Sequence, residues 1–255
     1  DLVVVSPGIP PHAPVLTALR DRGTRWISEP EFAVRFFSGS LIAVTGTNGK
    51  TTTTLLVGRL LEAAGIRVAV GGNVGGGLAP VASELALLPV SPEWYVLEMS
   101  SFQLADVDTF RPDIGVITNL SPDHLDRYES LEAYYADKAR LLDQAAPDSR
   151  WVLPYGDGDV ADLVGDAEGH RFYFGGHDLT DTHAYVSEGR LMLRLAGSED
   201  ALIGAADLPL LGTHNLNNAL AASLTASLAG ASVGGIRSGL ESARSLPHRL
   251  EPVAE

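Results

Sequence analysis

An α/β fold, a P-loop parallel sheet flanked by helices, is the architecture the sequence predicts, and three observations carry the prediction. Short runs of apolar strand formers recur at Leu41-Ile42-Ala43-Val44, Val68 to Val70, Trp94 to Leu97 and Ile114 to Thr118. Each is continuous rather than alternating, as expected of strands buried on both faces. Segments with helical spacing separate them, the βαβ pattern of a parallel sheet. The third observation is the turn Gly46-Thr47-Asn48-Gly49-Lys50-Thr51, where the first of these strands hands over to a helix.

Taken in order, Asp1-Leu2-Val3-Val4-Val5 reads as a buried strand and Ser6-Pro7-Gly8-Ile9-Pro10-Pro11 as a turn. Val15 to Gly23 has helical spacing and Thr24 to Ile27 is strand-like, so residues 1–38 resemble the closing βα units of a truncated Rossmann-like domain. A central domain then spans 39–246. It opens with the strand from Leu41 and a helix over Thr51 to Leu61, followed by the strand at Val68, a helix after Gly77 and the strands at Trp94 and Ile114. A helix from Leu131 to about Ala145 follows, N-capped by Ser130, and then a strand at Trp151 to Leu153. The runs Arg171 to Phe174 and Arg190 to Leu195 predict a small antiparallel extension. Helices over Leu216 to Leu228 and Val233 to Ala243 close the domain, and residues 247–255 read as a linker.

Composition narrows the partners. The formal charge is 18 − 32 = −14, which argues against nucleic acid and anionic membrane as partners of the whole surface. A protein this acidic that binds phosphate must gather its cations locally. With no cysteine, disulfides, thiolate metal sites and thiol catalysis are excluded. No uninterrupted apolar run of about 18 residues is present, and the chain is expected to be cytoplasmic.

The turn at Gly46 to Thr51 has the chemistry of a phosphate cradle. Glycines let backbone N–H groups converge on an anion and the helix N-terminus adds partial positive charge. Lys50 can reach outer phosphates and the Thr51 hydroxyl can ligate magnesium. The spacing departs from G-x-x-x-x-G-K-[ST], because Val44 stands where the first glycine belongs. Ligands of open α/β sheets bind beyond the carboxyl ends of strands, so Glu98, and Asp123, His124 and Asp126, are candidates at the same rim. Lys138 falls inside the apolar stripe Leu131, Tyr134, Tyr135, Leu141, Leu142, either as a lysine snorkelling to water or as a buried amine beside bound anions or metal. Asn215 and Asn218 share one side of a helix's opening turn, where capping is the simpler role. Asn73 lies in a second glycine-rich loop, Gly71 to Gly77.

In this order Gly46-Thr47-Asn48-Gly49-Lys50-Thr51-Thr52, Gly72-Asn73, Asn119-Leu120-Ser121-Pro122-Asp123-His124-Leu125-Asp126, Lys138, His214-Asn215 with Asn218, and His248-Arg249 resemble the Mur ligase family. Val5-Ser6-Pro7-Gly8-Ile9 and Leu97-Glu98-Met99-Ser100-Ser101-Phe102-Gln103-Leu104 resemble its D-glutamate-adding branch. The resemblance implies an ATP-dependent ligase of peptidoglycan precursor synthesis, joining D-glutamate to UDP-N-acetylmuramoyl-L-alanine through an acyl phosphate. It implies three domains, of which this chain would carry the end of the UDP-binding first, the ATPase second and the entry to the third. Such a fragment would bind nucleotide and be inactive alone. By the same resemblance Gly46, Thr47, Asn48, Gly49, Lys50, Thr51 and Thr52 cradle ATP, with Asn215, Asn218 and Arg249 on the nucleotide. Thr51 and Glu98 would hold one Mg2+, and His124 with a carbamylated Lys138 a second. Lys50, Glu98, His124 and Lys138 form the catalytic set, and Ser6, Pro7, Gly8, Asn73, Ser100 and Gln103 meet the UDP-linked substrate. A monomer is expected. Two alternatives are a folylpolyglutamate-synthase-like ligase, whose loop usually continues Gly-Lys-Gly-Ser, and a GTPase-type switch, whose Asn-Lys-x-Asp motif this sequence lacks.

Overall fold

The computed structural model describes residues 2–6, 9, 13–75, 77–123, 127–210 and 212–244. The N-terminal part is a small βαβ unit. Strands β1 (Val3–Val5) and β2 (Trp26–Ser28) pair in parallel across helix α1 (Pro14–Asp21). Helix α2 (Glu29–Val34) begins where the Ser28 hydroxyl caps the Glu31 N–H, with Glu29 and Glu31 in the first turn, where the helix dipole favours acids. Glu31 then leaves the unit and enters the larger body. Its fully buried carboxylate accepts from the N–H groups of Asp108 and Thr109 at 3.1 Å, the Thr109 hydroxyl at 2.7 Å and Arg35 at 3.1 Å.

The larger body is one nine-stranded sheet. Its elements run β3 (Ser40–Thr45), α3 (Lys50–Ala63), β4 (Val68–Gly72), α4 (Ala82–Leu85), β5 (Trp94–Glu98), α5 (Ser101–Leu104), β6 (Ile114–Ile117) and α6 (Leu131–Ala139). They continue as β7 (Arg150–Pro154), α7 (Gly158–Val164), β8 (His170–Phe174), β9 (Thr182–Ser187), β10 (Arg190–Leu195), β11 (Ser198–Gly204), α8 (Thr213–Leu228) and α9 (Val233–Glu241). The strand order is β11-β10-β9-β8-β7-β6-β3-β5-β4. Every pairing from β4 to β9 is parallel, and β10 runs antiparallel to both β9 and β11. The antiparallel extension therefore starts later than the sequence suggests. The run Arg171 to Phe174 lies in β8 and is parallel to β7, because the short helix α7 supplies a crossover between them.

The continuous apolar strands feed two cores. Ile42, Val44, Val96 and Val116 face α3, α8 and α9, while Leu41, Ala43, Tyr95, Leu97 and Ile117 face the opposite side with Leu141 and Trp151. Helix α9 lies close on α3: a Cβ at Gly235 would stand 2.5 Å from Ala64 Cα, and one at Gly239 2.7 Å from Leu60 Cδ2. The predicted helix to Ala145 ends earlier, at Ala139, and tightens into a 3-10 turn over Arg140–Leu142. The proposed domain limit at 246 and the linker 247–255 lie outside the described residues.

Candidate nucleotide site

Strand β3 lies between β5 and β6, and the chain leaves it on one side through α3 and β4 and returns past it to β6 on the other. Such a reversal opens a crevice beyond the strand ends. Gly46 to Gly49 fill that position. Gly46 has φ +138 and a Cβ there would meet Thr118 Oγ1 at 2.0 Å; Gly49 has φ +82 and a Cβ would meet Asn218 Oδ1 at 2.3 Å. Both sites demand glycine twice over, by conformation and by space. Gly49 is also the N-cap of α3 and offers no capping side chain, and helix bonding begins with Thr53 N–H to Gly49 O at 2.9 Å. The first N–H groups of α3 therefore have no acceptor within the helix, the arrangement by which a helix N-terminus can receive an anion.

Two lysines converge on this loop. Lys50 Nζ donates to Gly46 O at 3.0 Å and Thr47 O at 2.8 Å, and Lys138 Nζ donates to the same Gly46 carbonyl at 2.8 Å. The local cation that the acidic composition demands is thus present in Lys50, with the Lys138 amine beside it. Lys138 is 1% exposed, so of its two sequence-level roles the snorkelling one is overturned: its Nζ ends on the loop, not in water. Burial, and secondarily repulsion from Lys50, push its pKa down to about 7, against the pull of Asp123, Asp137 and Glu98. The Tyr134 ring lies 4.6 Å beneath Nζ, and the Tyr134 hydroxyl is 3.3 Å from Thr47 Oγ1.

The other predicted residues distribute around this centre. Glu98, 2% exposed, ends β5 in register with Val44, and its Oε1 accepts from the exposed Asn73 amide at 3.4 Å. Thr51 is buried and Thr52 half-buried in the first turn of α3. Asn215 and Asn218 are buried and joined, Asn218 Nδ2 donating to Asn215 Oδ1 at 3.1 Å. Neither caps α8, whose N-cap is Gly212 without a side-chain bond. Ser100 and Gln103 form the capping box of α5, with Gln103 N–H on Ser100 Oγ and Ser100 N–H on Gln103 Oε1. Pro7, Gly8, His124, Asp126 and Arg249 lie outside the described residues, and Ser6 is exposed at the end of β1.

Beside the loop opens a cleft of about 650 Å³, lined by Asn48, Gly49 and Asn218 together with Tyr155, Asp157 and Phe174. The sequence reading singled out none of Thr118, Tyr155, Asp157 and Phe174. The polar character of Tyr155-Gly156-Asp157 directly after a buried strand was the available signal, by the same rim logic that picked Glu98. No group of three or more His, Cys, Asp or Glu that could hold a metal forms among the described residues. Magnesium needs no such cluster, since it is commonly held by one or two carboxylates with phosphate oxygens and water. The buried Glu98 carboxylate and the Thr51 hydroxyl are oxygen donors of the right kind at one strand–helix rim. The ammonium of unmodified Lys138 is not a metal ligand.

Comparison with known proteins fits this geometry. The model of the Mur ligase middle domain matches residues 44–226. A UDP-N-acetylmuramoylalanine–D-glutamate ligase of Acidobacterium capsulatum is 42% identical, covering 100% of this chain and 55% of its own length. The protein of the same name from Thermoanaerobacter pseudethanolicus is 37% identical with the same coverage. The chain thus spans little more than half the length of these curated relatives. Among solved structures, a UDP-N-acetylmuramoyl-L-alanyl-D-glutamate–2,6-diaminopimelate ligase superposes with TM-score 0.70 at 22% identity over 100% of this chain and 62% of its own. The UDP-N-acetylmuramate:L-alanyl-gamma-D-glutamyl-meso-diaminopimelate ligase of Neisseria meningitidis gives 0.68 at 20% identity, covering 96% of this chain and 79% of its own. These two share the fold. With the phosphate loop, the paired lysines and the family match in one place, the chain belongs to the Mur ligase family and carries its middle domain.

Proposed function

We propose that this chain is the nucleotide-binding core of an ATP-dependent ligase that joins D-glutamate to UDP-N-acetylmuramoyl-L-alanine. The carrying observation is the convergence of Lys50 and Lys138 on the Gly46 carbonyl at the N-terminus of α3. The names and identity of the relatives support the choice of substrates. In this proposal the substrate carboxylate attacks the γ-phosphorus of ATP and ADP leaves, giving an acyl phosphate. The amine of D-glutamate then attacks the acyl carbon and phosphate leaves with the C–O bonding pair. A carboxylate and a triphosphate repel each other, so the site must supply cations. Lys50 would hold the β,γ-phosphates and the N–H groups of Lys50, Thr51 and Thr52 would surround them.

Thr51 and Glu98 would hold a magnesium ion, which when bound neutralises phosphate charge. His124 and a carbamylated Lys138 would hold a second, carbamylation turning an ammonium into an oxygen ligand. A Lys138 pKa near 7 supports this, because carbon dioxide reacts with the free amine. Asn215, Asn218 and Arg249 would meet the nucleoside, and Ser6, Pro7, Gly8, Asn73, Ser100 and Gln103 the UDP-linked substrate. The domain division at 38 and 246, a monomeric state and a cytoplasmic location complete the proposal. No helix among the described residues is long and apolar enough to cross a membrane.

Calorimetric titration with Mg-ATP tests the core. Binding by this chain, weakened about 10- to 150-fold in Lys50→Ala, is expected, since hydrogen bonds to charged groups are worth about 1.5–3 kcal/mol. Unchanged affinity would remove Lys50 from the site. Product formation by mass spectrometry, for this chain and for a protein extended at both ends, tests the rest. The short chain should form no amide, because positioning the amine is worth roughly 7 to 11 kcal/mol of barrier. Equal rates would refute the division of roles among domains.

A further inference from the structure

The segment that follows β6 grips the phosphate loop far more extensively than packing alone requires. The β3–β6 ladder continues past its last strand pair, with Thr118 N–H on Thr45 O at 3.0 Å and Thr47 N–H on Asn119 O at 3.0 Å. At the next rung no backbone is available, and the Asn119 side chain takes its place. Its Oδ1 accepts from Asn48 N–H at 3.0 Å and its Nδ2 donates to Asn48 O at 3.0 Å. Thr118 Oγ1 adds a second donor to the same Asn48 carbonyl at 2.6 Å. The Thr47 side chain is held in turn, its Oγ1 donating to Ser121 O and accepting from Ser121 N–H, both at 3.0 Å. The main-chain donors and acceptors of Thr47 and Asn48 are thus all engaged by protein groups, since Thr47 O receives Lys50 Nζ.

We infer that Asn119 is a positioning residue of the phosphate site: its carboxamide pins the Asn48 peptides so that Asn48 N–H faces away from the anion and the donor array is that of the helix N-terminus, Lys50 to Thr52. This role rests on the proposed nucleotide site. Only an amide presents an acceptor and a donor side by side in one plane, so asparagine can mimic a neighbouring peptide where a carboxylate or hydroxyl cannot. The constraint matters because the loop has glycine at two of its four positions, Gly46 and Gly49, and glycine carries the largest conformational freedom. Without the clamp the residues between them must be ordered by the ligand itself, and that ordering subtracts from affinity. Asn119 acts through the loop, so its removal should weaken ligands that use the phosphate cradle and leave the folded body intact.

Two measurements on this chain decide the matter. Amide hydrogen exchange by NMR, without nucleotide, should show the Asn48 N–H protected in the wild type and unprotected in Asn119→Ala, with the Thr47 N–H protected in both because its acceptor is the Asn119 main chain. Calorimetry should show Mg-ATP affinity about tenfold lower in Asn119→Ala. Thr118→Val, which is isosteric and removes the hydroxyl that donates to Asn48 O at 2.6 Å and reaches Thr45 O at 3.3 Å, should lose about threefold and keeps the test open if the asparagine variant folds poorly. Unchanged ATP affinity in folded variants, or an Asn48 amide that exchanges equally fast in wild type and Asn119→Ala, would overturn the positioning role. If wild type binds no Mg-ATP while the Asn48 amide is protected, the nucleotide reading falls and the clamp is only structural.

Discussion

Replacing Glu31 by alanine should loosen the N-terminal βαβ unit from the sheet domain, and the structure sets the scale. The carboxylate receives four hydrogen bonds, from Asp108 N–H, Thr109 N–H, the Thr109 hydroxyl and Arg35. Bonds to a charged group contribute about 1.5–3 kcal/mol each, an upper sum of roughly 6–12 kcal/mol. That sum is too large, because Asp108 and Thr109 are exposed residues whose groups rehydrate once the carboxylate is gone, and Arg35 is 39% exposed. A cost of about 3–5 kcal/mol remains, as for breaking a buried ionic hub. For a chain of this size it lowers Tm by of order 10 °C. Glu31→Gln keeps one acceptor and should cost about half as much. Arg35→Ala, which removes only the part-exposed partner, should cost under about 1 kcal/mol. Urea unfolding followed by fluorescence reads all three, with Trp26 reporting on the small unit and Trp94 and Trp151 on the sheet. The pH dependence has a definite sign. Burial raises the Glu31 pKa, but the bonds from Thr109, Asp108 and Arg35 outweigh it and hold the pKa below 4.5. The carboxylate's contribution is therefore full above about pH 4.5 and is lost as pH falls through the depressed value. An alanine variant within 1 kcal/mol of wild type at pH 7, or one whose acid sensitivity matches wild type, would refute this account.

Other outcomes follow from the site. Gly49→Ala must place a methyl 2.3 Å from Asn218 Oδ1 at φ +82, so it should cost about 2–4 kcal/mol of stability and lower Mg-ATP affinity together; thermal melting and calorimetry check both. In the extended protein Lys138→Ala should abolish ligation, whereas Lys138→Glu, with a carboxylate on a shorter stem, should recover part of it. An active alanine variant, with a wild type indifferent to bicarbonate, would rule out the carbamate.

Much of this arrangement was legible in the sequence, and the remainder failed for identifiable reasons. Strands β3, β5 and β6 announce themselves because burial on both faces makes their composition continuous and apolar, and the glycine–lysine turn between β3 and α3 fixes the ligand-binding rim. The direction of β8 was not legible. It depends on α7, a seven-residue helix in Gly158–Val164 that opens on glycine and aspartate and looks locally like a loop. Strands β9 and β11 were missed because their turns and polar ends dilute the period-two pattern, most clearly in Ser198-Glu199-Asp200 of β11. Lys138 shows both sides of the problem. Its place on the apolar stripe was read from spacing, but whether a lysine there turns outward or inward is decided by what sits above it, and that is the Gly46 carbonyl from a segment 92 residues away. Asn119 carried a motif but no role, because an amide after a strand has many uses until its partner peptide is known.

The close seating of α9 on α3 reaches further than core packing. Helix α3 is a rigid rod about 21 Å long at 1.5 Å per residue, with the anion site at its N-terminal tip and the α9 contacts at Leu60 and Ala64 near the other end. A displacement at the far end has a stiff path to the tip along such a rod. A single methyl added at Gly235, where it would stand 2.5 Å from the Ala64 backbone, should push on α3 and disturb the donor array at Lys50 to Thr52 from the opposite end of the helix. Such a variant would present in an assay as a nucleotide-binding defect, and a survey of residues touching the nucleotide would never find it.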